Sequence, residues 1–459
     1  MWIRYFNFLR PGGVLYDSAE RSSTSILALM DHRDAKVCIT SVHHELIVYS
    51  KPFPIWLTFF NQSLENRSGA TVDLDPAVYE LTAVKQIPIS AVQNNRLSDV
   101  TQISITPHSG PESIVYVNGT LYTGTENGNI LRIRDSKVEV FHDLKQSDCD
   151  SVGPCGRPLG MRLSKNGENI FIVDALSGVY SLSLENGAVD KIFPLDSLFY
   201  PRFLDDLDVL PNGEIVISEA TVKYSLQELD KEYLESRANG RLLLVNPKTG
   251  QWKVLADGLY FPNGVQLHRD GKSLLVAETS RFRVIRVPLD GKSPATVFVD
   301  GLPGFPDNIR LSPRGGYWIP VSNIRDGSLF SRALEWMAKS PLTRRVLYCI
   351  NLLLPGLNML KARSSMLLRV DEQGDIIEVW RDPQNKVLNV AELMLYGRQL
   401  RRLQKLVRRI RYVEIPNTQG TGMNSQWKTA NRLEMSAEQI LRQLCLVSGI
   451  SNGELQIWP

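Results

Sequence analysis

The chain has 459 residues, 43% hydrophobic and 22% charged, so it reads as globular and not disordered, with room for one large domain or two to three ordinary ones. A net charge of +3 leaves no footprint for a nucleic-acid partner. No stretch approaches the ~20 apolar residues needed to span a bilayer, and Met1–Gly13 lacks the apolar core and cleavage site of a signal peptide.

Residues 1–80 show no sustained period, and their nearest apolar run, Leu46–Phe60, is broken by Lys51, Pro52 and Pro54. Asn61, Asn66 and Asn118 open triplets of the glycosylation-acceptor pattern, which point to a secretory route but also arise by chance. From about Leu81 the text changes to runs of four to six apolar residues separated by Asn-Gly, Asp-Gly and Gly-Gly turns. Five four-strand units follow, beginning at Ser113, Gly160, Asp206, Gly264 and Asn308. Between the first two lie Cys149 and Cys155, either a local disulfide or two unpaired loop thiols. A lone unit would expose an apolar face on both sides, so the units must stack in a ring. The expected sixth unit combines Val390–Leu395 with an incoming strand around Leu81–Ile89.

The fifth unit is interrupted from about Asp326 to Arg363 by apolar segments with interspersed Lys and Arg, read as one or two amphipathic helices. They serve either as a lid on the ring or as a membrane-surface contact. Gln399–Arg411 has the pattern of a basic amphipathic helix, and residues 415–459 are polar. The expected fold is therefore an all-β, six-bladed β-propeller over residues 81–398, with a helical insert. A divergent N-terminal segment (1–80) and a basic helical and polar tail (399–459) flank it.

One phrase occurs twice. Asp257–Val265 reads Asp-Gly-Leu-Tyr-Phe-Pro-Asn-Gly-Val, and Asp300–Ile309 reads Asp-Gly-Leu-Pro-Gly-Phe-Pro-Asp-Asn-Ile, with Phe261 and Phe305 44 residues apart. That period suits a propeller blade. Residues just before the first strand of each blade gather at one mouth of the central channel, and here they are Glu112, Asp205, Asn263, Asp307 and Asn308. Mixed carboxylate and amide oxygens are the donors that Ca²⁺ takes, about six to eight of them at roughly 2.3–2.6 Å. The six histidines show no metal spacing. The bland alternative is that these Asn and Asp residues serve as turn formers. That suits Asn166 or Asn212 better than Asn263 and Asp307, which follow Phe-Pro and precede an inner strand.

The runs Cys155–Gly160, Phe171–Ala175, Phe203–Leu207, Gly258–Gly264, Val276–Thr279 and Pro303–Arg310, closed by Gly315–Trp318, closely resemble the strictosidine synthase-like family in its adipocyte plasma membrane-associated branch, a group related to the paraoxonases. The resemblance implies a six-bladed propeller with Ca²⁺ in the channel, ligated by Glu112, Asp205, Asn263, Asp307 and Asn308. Asp205 stands where the family usually has an amide, and Ser113 where paraoxonases have an aspartate for a second ion. The implied function is Ca²⁺-dependent hydrolysis of aryl esters or lactones by an arylesterase-type enzyme, with Asp307 or Glu112 activating water. The alternatives are a non-enzymatic adhesion or scaffold propeller with structural Ca²⁺, and a strictosidine synthase-type condensation, whose glutamate would match Glu392. The resemblance also implies a membrane-associated glycoprotein of the secretory pathway whose partners are a small ester or lactone and a membrane surface.

Overall fold

Short runs of β-branched and aromatic residues between Gly-containing turns fold as antiparallel strands. The computed structural model describes residues 74–87, 97, 101–144, 156–195, 199–325, 327–353, 364–382, 384, 390–395, 445–449 and 454–457. Cys149, Cys155, Asn61, Asn66, Leu46–Phe60 and Gln399–Arg411 lie outside them.

After β1 (Thr101–Ser104) the first sheet holds β2 (Ile114–Val117), β3 (Thr120–Gly124), β4 (Asn129–Arg134) and β5 (Lys137–Asp143). The second holds β6 (Pro158–Leu163), β7 (Asn169–Asp174), β8 (Gly178–Ser183) and β9 (Val189–Phe193). The third holds β10 (Phe203–Val209), β11 (Ile215–Thr221), β12 (Gly240–Val245) and β13 (Trp252–Leu259), with helix α1 (Leu229–Glu235) inserted between β11 and β12. The fourth holds β14 (Pro262–Leu267), β15 (Ser273–Glu278), β16 (Arg283–Pro288) and β17 (Thr296–Val299). The fifth starts with two short pieces, β18 (Phe305–Pro306) and β19 (Arg310–Leu311), both paired to β20 (Tyr317–Ser322). Helices α2 (Leu329–Lys339) and α3 (Pro341–Leu353) intervene before β21 (Ser365–Val370) and β22 (Ile376–Arg381). The last strands are β23 (Val390–Leu395), β24 (Cys445–Gly449) and β25 (Glu454–Ile457).

Five sheets are built from strands consecutive in sequence; the sixth runs β1-β25-β24-β23. Strand alternation puts apolar side chains on both faces of each sheet. Leu275 and Ala277 of β15 join the cluster shared with Tyr317 and Leu368, while Leu274 and Val276 join the one shared with Val216 and Leu242. Tyr122 and Ile130 meet Ile172 and Tyr180, and Val173 and Val179 meet Leu207 and Ile217. Trp318 and Trp380 meet Val390 and Leu393, and Ile103 and Ile105 return to Tyr116 and Leu131 of the first sheet. Sheets stacked face to face in sequence, the last against the first, form a β-propeller.

Two features differ from the sequence expectation. The strand that completes the sixth sheet ahead of the first is β1, at Thr101–Ser104, not Leu81–Ile89. The described residues 74–87 carry no strand. They cross other elements, with the Ala77, Tyr79 and Lys85 amides donating to the carbonyls of Glu235 (2.9 Å), Ala338 (3.2 Å) and Gly301 (2.7 Å). Second, β24 and β25 come from the segment set apart as a polar tail. A strand pair needs a complementary edge, and β23 and β1 both offer one. On the insert, Leu334 of α2 packs against the fifth-sheet core while Trp336 faces solvent.

Candidate functional site

The inner strands are irregular at one recurring place. Pairing slips between Leu204 and Leu207 of β10, between Pro262 and Val265 of β14, and between Pro158 and Met161 of β6. In the fifth sheet the gap between β18 and β19 falls at Asp307-Asn308. Asp205-Asp206 and Asn263-Gly264 occupy their slips. A bulge re-aims a side chain that a regular ladder would lock into alternation. Asp205, Asn263 and Asp307-Asn308 are thus set at irregularities within the inner strands, whereas Glu112 lies just ahead of β2, as the spacing suggested.

Glycine lets these bulges approach one another. A Cβ on Gly264 would stand 2.6 Å from Asn308 Cα and 2.6 Å from the Asp307 carbonyl oxygen, and one on Gly160 would stand 2.6 Å from Asp206 Cα. The backbone is fastened across sheets: Ser218 Oγ donates to the Asn263 carbonyl at 2.7 Å, Thr279 Oγ1 donates to the Pro306 carbonyl at 2.7 Å, and the Asn308 amide donates to the Ala391 carbonyl at 3.2 Å.

Glu112, Asp205, Asn263 and Asn308 are buried, and Asp307 is partly exposed. Asn308 Nδ2 donates to Glu112 Oε1 at 2.5 Å. The amide oxygens Asn263 Oδ1 and Asn308 Oδ1 are buried with no hydrogen-bond partner. Burial, reinforced by Asp307, Asp205, Asp206 and Glu392, holds the Glu112 carboxyl well above the usual carboxylate range. Burial and the charges of Asp307 and Asp206 do the same to Asp205, against the pull of Arg157. Burial pushes Asp307 up to about 7, with Asp206 adding to it and an Asn263 hydrogen bond and Arg310 working against it.

Two buried acceptors lack donors, and three acids repel one another in a low-dielectric setting. The donor set is hard oxygen throughout, which fits Ca²⁺ and not a softer metal. Among the described residues no three His, Cys, Asp or Glu side chains form a metal-holding group by themselves. Any cage proposed here would have to draw on the two amide oxygens as well.

Below this set lies a second constellation that the spacing did not reveal. Arg310 Nε and Nη2 donate to the two oxygens of Glu392 at 2.7 and 2.6 Å, and Nη1 donates to Asp206 Oδ2 at 2.9 Å. Ser113 Oγ donates to Glu392 Oε2 at 2.6 Å, Arg162 Nη2 to Asp206 Oδ2 at 3.2 Å, and the Val265 amide to the same oxygen at 3.0 Å. Arg162, Asp206, Val265, Arg310 and Glu392 come from the second to the sixth sheets, and Ser113 lies just ahead of β2 of the first. Burial pushes Asp206 up, but Arg162 and Arg310 outweigh it and hold the carboxyl below its ordinary range. Asp206 is thus a structural anion, and Ser113 hydrogen-bonds into the network instead of bearing a charge. Arg310 lies in β19, just past the Asp307-Asn308 gap, and no spacing in the sequence marked it.

Comparisons with known proteins bear on the family. Residues 205–292 match the model of the strictosidine synthase family, and residues 92–133 that of the strictosidine synthase-like N-terminal region. The adipocyte plasma membrane-associated protein of Rattus norvegicus is 32% identical over 306 residues, covering 64% of this chain and 80% of that one. Protein STRICTOSIDINE SYNTHASE-LIKE 13 of Arabidopsis thaliana is 32% identical over 344 residues, covering 69% and 84%. Among solved structures, a gluconolactonase of Xanthomonas campestris is 13% identical with a TM-score of 0.48 over 84% of this chain and 98% of that one, a likeness from which no activity is transferred. The fold and these sequence matches define a β-propeller of the strictosidine synthase type. The chain belongs to the strictosidine synthase-like family.

Proposed function

We propose that this chain is a six-bladed, Ca²⁺-dependent hydrolase of aryl esters or lactones, with the ion held by Glu112, Asp205, Asn263, Asp307 and Asn308. The observation that carries the reading is the pair of orphaned, buried amide oxygens, Asn263 Oδ1 and Asn308 Oδ1, beside acids that burial and mutual repulsion hold above their ordinary range. A bound Ca²⁺ would supply Lewis acidity toward a carbonyl oxygen.

The residues divide the remaining work. Glu112 is buried and its Oε1 accepts from Asn308, which suits a fixed ligand. Asp307 is the partly exposed acid and can meet water. In hydrolysis the water oxygen bonds to the carbonyl carbon as its proton passes to the Asp307 carboxylate. The bond to the leaving oxygen then breaks, and that oxygen takes up the proton. Purified protein should hydrolyse phenyl acetate, with EGTA and Asp307→Ala each removing most of the rate. Equal turnover in either arm refutes the reading.

The rival readings lose support. The condensation needs a free glutamate, whereas Glu392 is buried in a two-point ion pair with Arg310. The scaffold reading draws on departures from the family pattern, Asp205 and an altered last blade; Asp205 stands, while the sixth sheet has four strands. Membrane association in the secretory pathway remains part of the proposal, supported by the names of the relatives. Asn118, in an exposed β2–β3 turn, is open to glycosylation. Among the described residues no helix is long and apolar enough to cross a membrane.

A further inference from the structure

The doubled Phe-Pro phrase has a second use. Phe261 and Phe305 each stand two residues before a site residue, Asn263 and Asp307, and both touch the same ring. Tyr233 of α1 stacks on Phe261 with centroids 5.0 Å apart and planes at 28°, and meets Phe305 edge-on at 5.7 Å. Phe203, two residues before Asp205, packs edge-on against Phe261 at 5.7 Å. The aromatic wall therefore borders three of the inner-strand site positions. Leu159 and the partly buried Leu176 and Leu229 complete its apolar lining.

Helix α1 has seven residues and would not hold its place unaided. Its last turn is pinned from several sides. Lys223 Nζ pairs with buried Glu235 Oε1 at 2.8 Å, and the Asp75 amide donates to the same oxygen at 2.7 Å. Arg344 Nη1 donates to the Leu234 carbonyl at 2.8 Å, and Asn239 Nδ2 to Glu232 Oε2 at 3.1 Å. Tyr233, between Glu232 and Glu235, is thus presented on a fixed support, and its side chain stays partly exposed. Burial, then the charges of Asp307 and Asp205, push its phenol above the usual tyrosine range, so the group remains a proton-bearing donor at neutral pH.

We propose that Tyr233 is a further catalytic residue of this site: its hydroxyl donates a hydrogen bond to the ester or lactone oxygen on which negative charge collects, while its ring and Phe261 and Phe305 form the wall that takes the substrate's aryl or apolar group. No proton changes hands in this role; the donor lowers the energy of the developing oxyanion. The assignment rests on the hydrolase reading, and it deepens that reading by making aryl substrates the favoured class.

The test compares wild type, Tyr233→Phe and Tyr233→Leu in Ca²⁺-containing buffer, by phenyl acetate kinetics, by calorimetric affinity for phenylphosphonate as a tetrahedral anion, and by thermal melting. Tyr233→Phe keeps the stack, so its melting temperature should not move. Its kcat should fall roughly 100-fold, with KM held within about threefold and phenylphosphonate bound more weakly. Tyr233→Leu should also raise KM. A Tyr233→Phe variant with wild-type kcat and affinity overturns the proposal, including the case where only Tyr233→Leu is impaired, because the ring alone would then matter. If wild type hydrolyses nothing yet its phenylphosphonate affinity depends on the hydroxyl, the hydrolase reading falls and the anion-binding role of Tyr233 stands. If wild type neither hydrolyses nor binds, both fall.

Discussion

Asp206 and Asp307 feel each other's charge yet meet opposite electrostatic fates. Asp206 is held ionised by Arg162 and Arg310, whereas Asp307 is pushed up to about 7. The two respond to pH with opposite sign. Between the ordinary aspartate value and about 7, folded Asp307 binds a proton that the unfolded chain has released, so stability falls as pH rises through that window. Glu112 and Asp205 are raised too and add to the same trend. Asp206 contributes stability above the ordinary value that is lost as pH falls through its lowered one. Melting curves in EGTA should therefore decline from about pH 4 to about pH 7, and Asp307→Asn should flatten that decline. A melting temperature that rises steadily over this range would contradict the placement of the acids. Removing Arg310 has a different signature. Arg310→Met leaves Asp206 and Glu392 buried without their shared cation, which costs about 3–5 kcal/mol, readable by denaturant unfolding. Arg310→Lys should recover only part of it, since a single ammonium cannot reproduce the two-point geometry.

At the scale of elements, the bulge is the unit that makes the site. It sets Asp205, Asn263 and Asp307 off the regular alternation, and a glycine on the neighbouring strand leaves room for the backbone that results. Gly264→Ala would force a methyl group against Asn308 and Asp307, so a loss of about 1–3 kcal/mol is expected from overpacking. It should come with weakened cation binding, because the backbone pushed aside carries two proposed ligands. Gly213→Ala, where nothing stands within 4 Å of the added Cβ, is a control for backbone strain alone. Much of this was legible in the sequence. The Phe-Pro-Asn and Phe-Pro-Asp phrases marked two bulges, and turn spacing marked the five consecutive sheets. The partners of Asp206 were not legible, because Arg310 is 104 residues away and only ring closure joins them. Tyr233 was hidden for the same reason: its helix is an insertion between two strands, and its contacts lie in the next two sheets.

At the scale of the molecule, the sixth sheet draws β1 from the N-terminal side and β23, β24 and β25 from the C-terminal side. The sequence points to closure by both ends with Val390–Leu395 in it, but it offers Leu81–Ile89 as the incoming strand and leaves β24 and β25 in the tail. The pairing β1↔β25 and β23↔β24 makes β24 and β25 the clasp that joins the N-terminal and C-terminal strands of the sixth sheet. A chain ending at Leu395 would leave β1 and β23 as unpaired edges. It should lose the cooperative melting transition and associate, as judged by calorimetry and light scattering, whereas an unaltered monomeric transition would show that the clasp is dispensable. Ring closure is also what brings Glu112, from the first sheet, to Asn308 of the fifth. The proposed cage therefore depends on the ring, and the most direct test addresses both. Ca²⁺ should be titrated calorimetrically into chelator-stripped wild type and Asn263→Ala. Saturation at a single ion per chain is expected for wild type, with affinity reduced at least tenfold in Asn263→Ala. Absence of saturable binding in wild type, or equal affinity in the two proteins, would contradict the channel site.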